Sequence, residues 1–225
     1  ENLLANIRVM GAHVEVSSKD IFVSWLPLYH DMGLIGAVLG TMYFGALLVL
    51  MSPITFLARP ARWLWMIHKY RATLSAAPNF AYELCASRVD DAELEGLDLS
   101  SWRFALNGAE AVRPEGLSRF INRFSRYKFR PESFAPTYGL AESSVGLSFP
   151  SLNTLPKIDV IDKKIFFTQQ IRQSASPQSR DDEKLAFVGC GHALAGHRIR
   201  IAGSDGHTLP EDCMGHIQFL GPSCT

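Results

Sequence analysis

The 225-residue sequence has no surplus of either charge: 22 lysines and arginines stand against 22 aspartates and glutamates. A balanced surface has no net field to gather nucleic acid or an anionic membrane, so any phosphate ligand has to be held by local groups. Cysteine is scarce too, and Cys85, Cys190, Cys213 and Cys224 show no close pairing of the disulfide-scaffold kind. Such usage fits a reducing compartment and thiols buried as small apolar groups. Cys190-x-His192 and Cys213-x-x-His216 together offer four zinc ligands, but neither is a CxxC knuckle and both lie in glycine-broken, strand-like sequence, which favours structural thiols over a metal. A secretory leader is not visible in the first twenty residues, whose charges are scattered with no apolar stretch before a cleavage site, so the expected location is cytoplasmic.

Charge is wholly missing from one long stretch, residues 32–58, which also lacks histidine. Its length would suffice for a membrane span. Gly33, Gly36, Gly40 and Gly45 interrupt it, however, and Gly45 reads as a helix stop before an apolar strand at 46–51 and a Ser-Pro turn. A helix, a turn and a buried strand are therefore expected, with no transmembrane segment. The same glycines would let another backbone, or a ligand chain, come close to the helix.

With 47% hydrophobic residues the chain can bury a sizeable core. Strands are expected at 21–25, 72–76, 102–106 and 133–135, alternating with helices at 60–70, at 78–89 and from Pro114. In the last of these Leu117, Phe120, Ile121 and Phe124 repeat at i, i+3, i+4, i+7. The alternation predicts an α/β fold with a largely parallel sheet flanked by helices, binding ligands beyond the carboxyl ends of its strands. Three post-strand segments would then converge on one crevice: His30, Gly108-Ala-Glu110 and Tyr138–Glu142. From residue 151 the sequence turns polar. Residues 1–150 read as the central α/β part, 151–184 as a polar insertion, and 185–225 as a small antiparallel β region with strands at 186–188, 197–202 and 216–220.

Each candidate site residue has an ordinary structural reading. Tyr138-Gly-Leu-Ala-Glu142 offers a ring for base stacking, a glycine bend and a hard oxygen ligand for magnesium, but such a segment is also a common strand-to-helix turn. Asn107-Gly-Ala-Glu110 could admit a purine edge or simply end a strand. His30-Asp31 could form an oriented imidazole, although adjacent side chains are not expected to face one another.

The motifs taken in order are far more specific. Trp25-Leu-Pro-Leu-Tyr-His-Asp-Met-Gly-Leu34, Arg59-Pro-x-Arg-Trp63, Tyr70-Arg-Ala-Thr73, Pro78-Asn-Phe-Ala-Tyr82, Asn107-Gly-Ala-Glu110 and Thr137-Tyr-Gly-Leu-Ala-Glu-Ser143 closely resemble the adenylate-forming enzymes. This is the superfamily of acyl-CoA synthetases and firefly luciferase, and the resemblance is strongest to its fatty acyl-AMP ligases. Gly215-His-Ile-x-x-x-Gly-Pro-Ser223 looks like a later family motif, with His216 where glutamate is usual. Ala141, where many members have threonine, and the polar stretch after Pro150, where fatty acyl-AMP ligases carry an insertion, both favour that branch.

The resemblance implies that Gly108, Ala109 and Glu110 border the adenine, that Tyr138 stacks on it, and that Gly139, Leu140 and Ala141 complete the nucleotide loop. Glu142 would hold Mg2+ and, with His30, serve catalysis. His30 would lie near the acyl carboxylate, and Gly33, Ala77 and Pro78 would help wall the acyl tunnel. The implied reaction is ATP-dependent activation of a long-chain fatty acid to an acyl-adenylate, with release of pyrophosphate and transfer to an acyl carrier protein. The family's phosphate loop and C-terminal domain are not found in these residues. The chain is therefore expected to be part of a large N-terminal domain, and incompetent alone. A fatty acyl-CoA synthetase and a non-catalytic lipid- or nucleotide-binding descendant are the alternatives.

Overall fold

The protein, seen in a computed structural model, is described over residues 1–224. Helix α1 (Asn2–Val14) buries Ile7, Gly11 and Val14, a stripe at i, i+4, i+7, and ends where Glu15 turns left-handed at φ 54°. It is followed by β1 (Ile21–Ser24).

The charge-free run then breaks as its glycines suggest. A π-helix (Met32–Leu39) runs into α2 (Gly40–Phe44), Gly45 closes α2 at φ 65°, and β2 (Leu47–Leu50) and α3 (Pro53–Ala58) follow; β2 is not the buried strand expected here, because it is the edge of the sheet and leaves Leu47 and Leu50 exposed. The Ser-Pro pair starts α3 rather than making a plain turn: the Ser52 hydroxyl accepts from Thr55 N at 3.3 Å and Pro53 takes the first helical position. Among the described residues no helix is long and apolar enough to cross a membrane.

Next come α4 (Ala61–Tyr70), β3 (Leu74–Pro78), α5 (Asn79–Arg88), β4 (Phe104–Gly108), α6 (Pro114–Phe124) and β5 (Phe134–Pro136). Strands β3 and β4 both begin two residues later than expected. Ala72 N is still taken by Ile67 O at 2.9 Å, closing α4, and Trp102 N is taken by Leu99 O at 3.0 Å in a turn, so neither entry residue is free to join the ladder. The five strands pair in parallel in the order β2-β1-β3-β4-β5. Order reverses on either side of β1, the type of switch point where such sheets open a crevice.

One face of the sheet is packed solid. Trp63, Tyr82, Trp102, Phe120 and Phe134 are fully buried or nearly so, with ring centroids 5.1–5.3 Å apart for Tyr82–Phe120, Trp63–Trp102 and Trp63–Tyr82 in edge-on geometry. Their polar atoms are satisfied where it matters: Trp63 Nε1 donates to Ser75 Oγ at 2.9 Å, and the Tyr82 hydroxyl donates to Leu106 O at 2.7 Å. The other face is covered by α1 and the π-helix, whose contact with the sheet leaves a cavity.

Beyond β5 the pairing turns antiparallel. β6 (Ser148–Phe149) pairs with β9 (His192–Ala193), β7 (Ile158–Asp162) with β8 (Lys184–Val188), and β10 (Arg198–Ala202) with β11 (His216–Leu220). The polar stretch 151–184 is more ordered than its composition suggests. It supplies β7 and the short helix α7 (Lys163–Gln169), capped by Asp162 Oδ1 on Ile165 N at 2.8 Å.

Candidate functional site

After β1 the chain passes through buried Trp25 and Leu26 and folds into a tight turn, with His30 N donating to Pro27 O at 3.2 Å and Gly33 N to His30 O at 3.0 Å. Asp31 caps the π-helix, its Oδ1 accepting from Met32 N at 2.7 Å. That turn brings the same oxygen to 2.6 Å from His30 Nδ1. The two adjacent side chains therefore do face each other, contrary to the expectation for neighbours in an extended chain, because a helix-capping carboxylate points back at the residue before it. A carboxylate partner sets the proton on Nδ1 and leaves Nε2 as the ring's other polar atom. The 3.2 Å approach of Met32 N to the same Nδ1 is then a close contact rather than a hydrogen bond, since that nitrogen is already a donor.

The loops after β4 and β5 are held together by Thr137 N donating to Asn107 O at 2.8 Å, and both store backbone strain. Ala109 has φ +66°, and Ser144 sits at φ 65°, ψ −62° in a three-residue turn closed by Val145 N on Ser143 O at 2.9 Å. Positive-φ conformations of this kind cost on the order of 1–3 kcal/mol for a residue with a side chain and cluster at functional sites. Gly139 is required by close approach: a Cβ there would stand 1.8 Å from the Val145 carbonyl oxygen.

The Glu110 carboxylate accepts from Phe80 N at 2.6 Å. It thereby caps α5, whose own cap position is Pro78, a residue without a side-chain oxygen. Glu110, Ala141 and Glu142 are exposed, outside the cavity that their neighbours Ala109 and Leu140 line.

His30, Gly108, Ala109, Tyr138, Gly139 and Leu140 all line one cavity of about 290 Å³, so the three post-strand loops do converge. From these loops the cavity runs along the sheet beneath α1 and the π-helix, where Ile7, Gly11, Gly36, Gly40, Thr41 and Phe44 form its apolar part. Gly33, Ala77 and Pro78 lie off it and do not wall it. Strand phase explains Ala77: Leu74 and Ala76 face the cavity, whereas Ser75 and Ala77 point to the aromatic side. Gly33 packs on the preceding turn, where an added Cβ would meet Pro27 O at 2.4 Å, and Pro78 is spent on starting α5. Of the four glycines of the charge-free run expected to allow close approach, Gly36 and Gly40 line the cavity and Gly33 and Gly45 do not; α1 carries no chemical motif to mark Ile7 and Gly11.

Among the described residues no three or more histidines, cysteines, aspartates or glutamates, Cys190, His192, Cys213 and His216 included, stand together as a group that could hold a metal ion. A single exposed carboxylate such as Glu142 still suits magnesium, which keeps most of its waters and takes one or two carboxylates together with substrate phosphates.

Over 200 residues the chain is 43% identical to the medium-chain-fatty-acid acyl-carrier-protein ligase TtuA of Teredinibacter turnerae, covering 89% of this chain and 30% of that protein. It is 43% identical over 167 residues to the long-chain-fatty-acid AMP ligase FadD23 of Mycobacterium tuberculosis, or 70% of this chain and 28% of that one. A fatty acyl-adenylate ligase from L. pneumophila, solved with acyl adenylate and pyrophosphate, matches with a TM-score of 0.93 at 36% identity, over 99% of this chain and 38% of that one. The chain thus spans less than half the length of these relatives. The model of the AMP-binding enzyme family matches residues 1–225, the whole sequence, and the chain belongs to that family.

Proposed function

We propose that the protein carrying this chain is a cytoplasmic fatty acyl-AMP ligase, which joins a fatty acid to the AMP part of ATP with release of pyrophosphate and then passes the acyl group to the thiol of an acyl carrier protein with release of AMP. One observation carries this reading: the loops suited to a nucleotide and the apolar space suited to a lipid tail are two ends of a single cavity. In this reading the Tyr138 ring stacks on adenine and the backbone of 108–110 follows the purine edge. His30, oriented by Asp31, turns Nε2 toward the acyl carboxylate and the α-phosphate. Glu142 would hold Mg2+, which when bound offsets the negative charge on the phosphates. The reaction is attack of a carboxylate oxygen on the α-phosphorus, and the chain's own contribution is to align the two reactants and keep water from the apolar end. Each methylene buried in the cavity adds about 0.8 kcal/mol of binding.

The test is pyrophosphate exchange by the intact protein over a series of fatty acids, followed by product analysis with coenzyme A or a phosphopantetheinylated acyl carrier protein as acceptor. Fatty-acid-dependent exchange with transfer to the carrier protein supports the reading. Formation of acyl-CoA would move the protein to the synthetase branch, and absence of exchange would leave a ligand-binding descendant.

A further inference from the structure

The loop that carries Tyr138 and Glu142 is anchored from behind by a buried polar network. At its centre is Ser223, fully buried, with its hydroxyl 3.1 Å from Asn6 Nδ2, 2.5 Å from His197 Nε2 and 3.4 Å from Ser143 Oγ. Its carbonyl accepts from Ser144 Oγ at 3.1 Å. Asn6, fully buried on α1, grips the same loop twice, donating to Gly146 O at 2.7 Å and accepting from Gly146 N at 3.0 Å. The Ser143 hydroxyl donates to Gly146 O at 3.2 Å.

The proton order follows from the partners. His197 Nδ1 lies 3.2 Å from Ala195 O, which can only accept, so Nδ1 carries the proton and Nε2 is an acceptor. Ser223 Oγ–H therefore donates to His197 Nε2, while its lone pairs receive Asn6 Nδ2–H. With the Ser143 proton on Gly146 O and the Ser223 proton on His197 Nε2, the 3.4 Å approach of the two hydroxyls is a packing contact, and the network grips the loop through Asn6 and the Ser223 carbonyl; buried bonds satisfied in this way rigidify what they hold.

What it holds is the strained turn. Ser144, at φ 65° and ψ −62°, lies two residues after Glu142, and such a conformation persists only where surrounding contacts over-determine it. The loop's other end is paired through Leu147 N on Tyr138 O at 3.0 Å. None of Asn6, His197 and Ser223 lines the cavity.

We propose that Ser223, fixed by His197 and Asn6, is a positioning residue that sets Glu142 and Tyr138 for the nucleotide and its metal without touching either. The assignment of ligands to these two residues rests on the function proposed above.

The experiment compares Ser223→Ala, His197→Leu and His197→Gln in the intact protein; the glutamine retains an acceptor near the place of Nε2. Ser223→Ala and His197→Leu are expected to raise the Mg2+ concentration for half-maximal exchange about tenfold and to lower kcat by about ten- to a hundredfold, the scale of a small misplacement of reacting groups. The fatty-acid KM should stay as it is, and His197→Gln should recover most of the loss. In a second arm, the rise in melting temperature caused by AMP should shrink in the first two variants and return in His197→Gln. Unchanged Mg2+ and nucleotide dependence in all three variants would overturn the proposal. So would an equal loss in nucleotide and fatty-acid parameters alongside a lowered melting temperature, which marks a merely structural role. If the unmutated protein shows no exchange, the ligase reading fails, and the AMP arm alone decides the positioning role. Should Ser223→Ala not fold, the two His197 variants carry the same comparison.

Discussion

Gly36 shows how much a single hydrogen can decide. It lines the cavity, and a Cβ built on it meets no atom within 4 Å, so a larger side chain there enters the open space where the proposed function puts the acyl chain. Gly36→Leu is expected to shift preference to shorter fatty acids. KM should rise for the longest acids by about fourfold for each methylene excluded, at ~0.8 kcal/mol apiece, while short acids are unaffected. Exchange assays across a chain-length series check this. Outside the cavity, Glu142→Gln keeps the shape and removes the charge. Exchange should fall on the order of a hundredfold or more, with little change in melting temperature, as for loss of a preorganised charge-stabilising group. Tyr138, Gly139 and Glu142 are conspicuous in the sequence because an aromatic, a glycine and a carboxylate within five residues carry chemistry in their types. Gly36 stands out only as one of four glycines in a charge-free run, because the empty space around it is not written in the sequence.

Strand phase does for elements what emptiness does for Gly36. On β3, Ala76 faces the cavity and Ala77, fully buried, faces the aromatic core one residue later. Ala77→Leu should overpack that core and cost about 1–3 kcal/mol, read as a lower melting temperature with the fatty-acid KM unmoved. Ala76→Leu should do the reverse, raising the fatty-acid KM with a smaller loss of stability. Either pattern inverted would mean the faces are exchanged. The order of strands and helices was legible because apolar runs and their proline and glycine breaks are local signals. The faces of β3 were not, since an apolar strand covered on both sides has no polar alternation to mark in from out. Helix α1 was missed for a related reason: it bears no motif, and its stripe of Ile7, Gly11 and Val14 gains meaning only against the sheet it covers.

At the end of the sheet away from the site, one ion pair ties distant segments together. Asp20 Oδ1 accepts from Thr73 Oγ1 at 2.7 Å and Arg103 Nε at 3.0 Å, Asp20 Oδ2 accepts from Ser17 N at 2.9 Å, and Arg103 also donates to Val14 O at 2.6 Å. The clamp therefore joins the end of α1 to the entries of β1, β3 and β4. Burial alone would raise the Asp20 pKa, but the hydrogen bonds from Arg103, Thr73 and Ser17 outweigh it and hold the group below the ordinary 3.8. A depressed folded-state value gives stability that is full above 3.8 and is lost as pH falls through that lower value. Asp20→Asn should thus cost about 2 kcal/mol at neutral pH, from lost charge-assisted bonds, and should flatten the stability profile below about pH 4. Denaturant titrations at several pH values read both effects.

Read alone, the sequence settled the parallel α/β plan, the places of its motifs and the likeness to adenylate-forming enzymes, because each is written in neighbouring residues. Which side chains wall the cavity, and that Asn6, His197 and Ser223 meet behind the loop carrying Tyr138 and Glu142, was decided only by the tertiary structure. Asn6 and Ser223 are 217 positions apart, and no local pattern encodes a hydrogen bond whose partners come together only after the sheet, α1 and the antiparallel segment have packed.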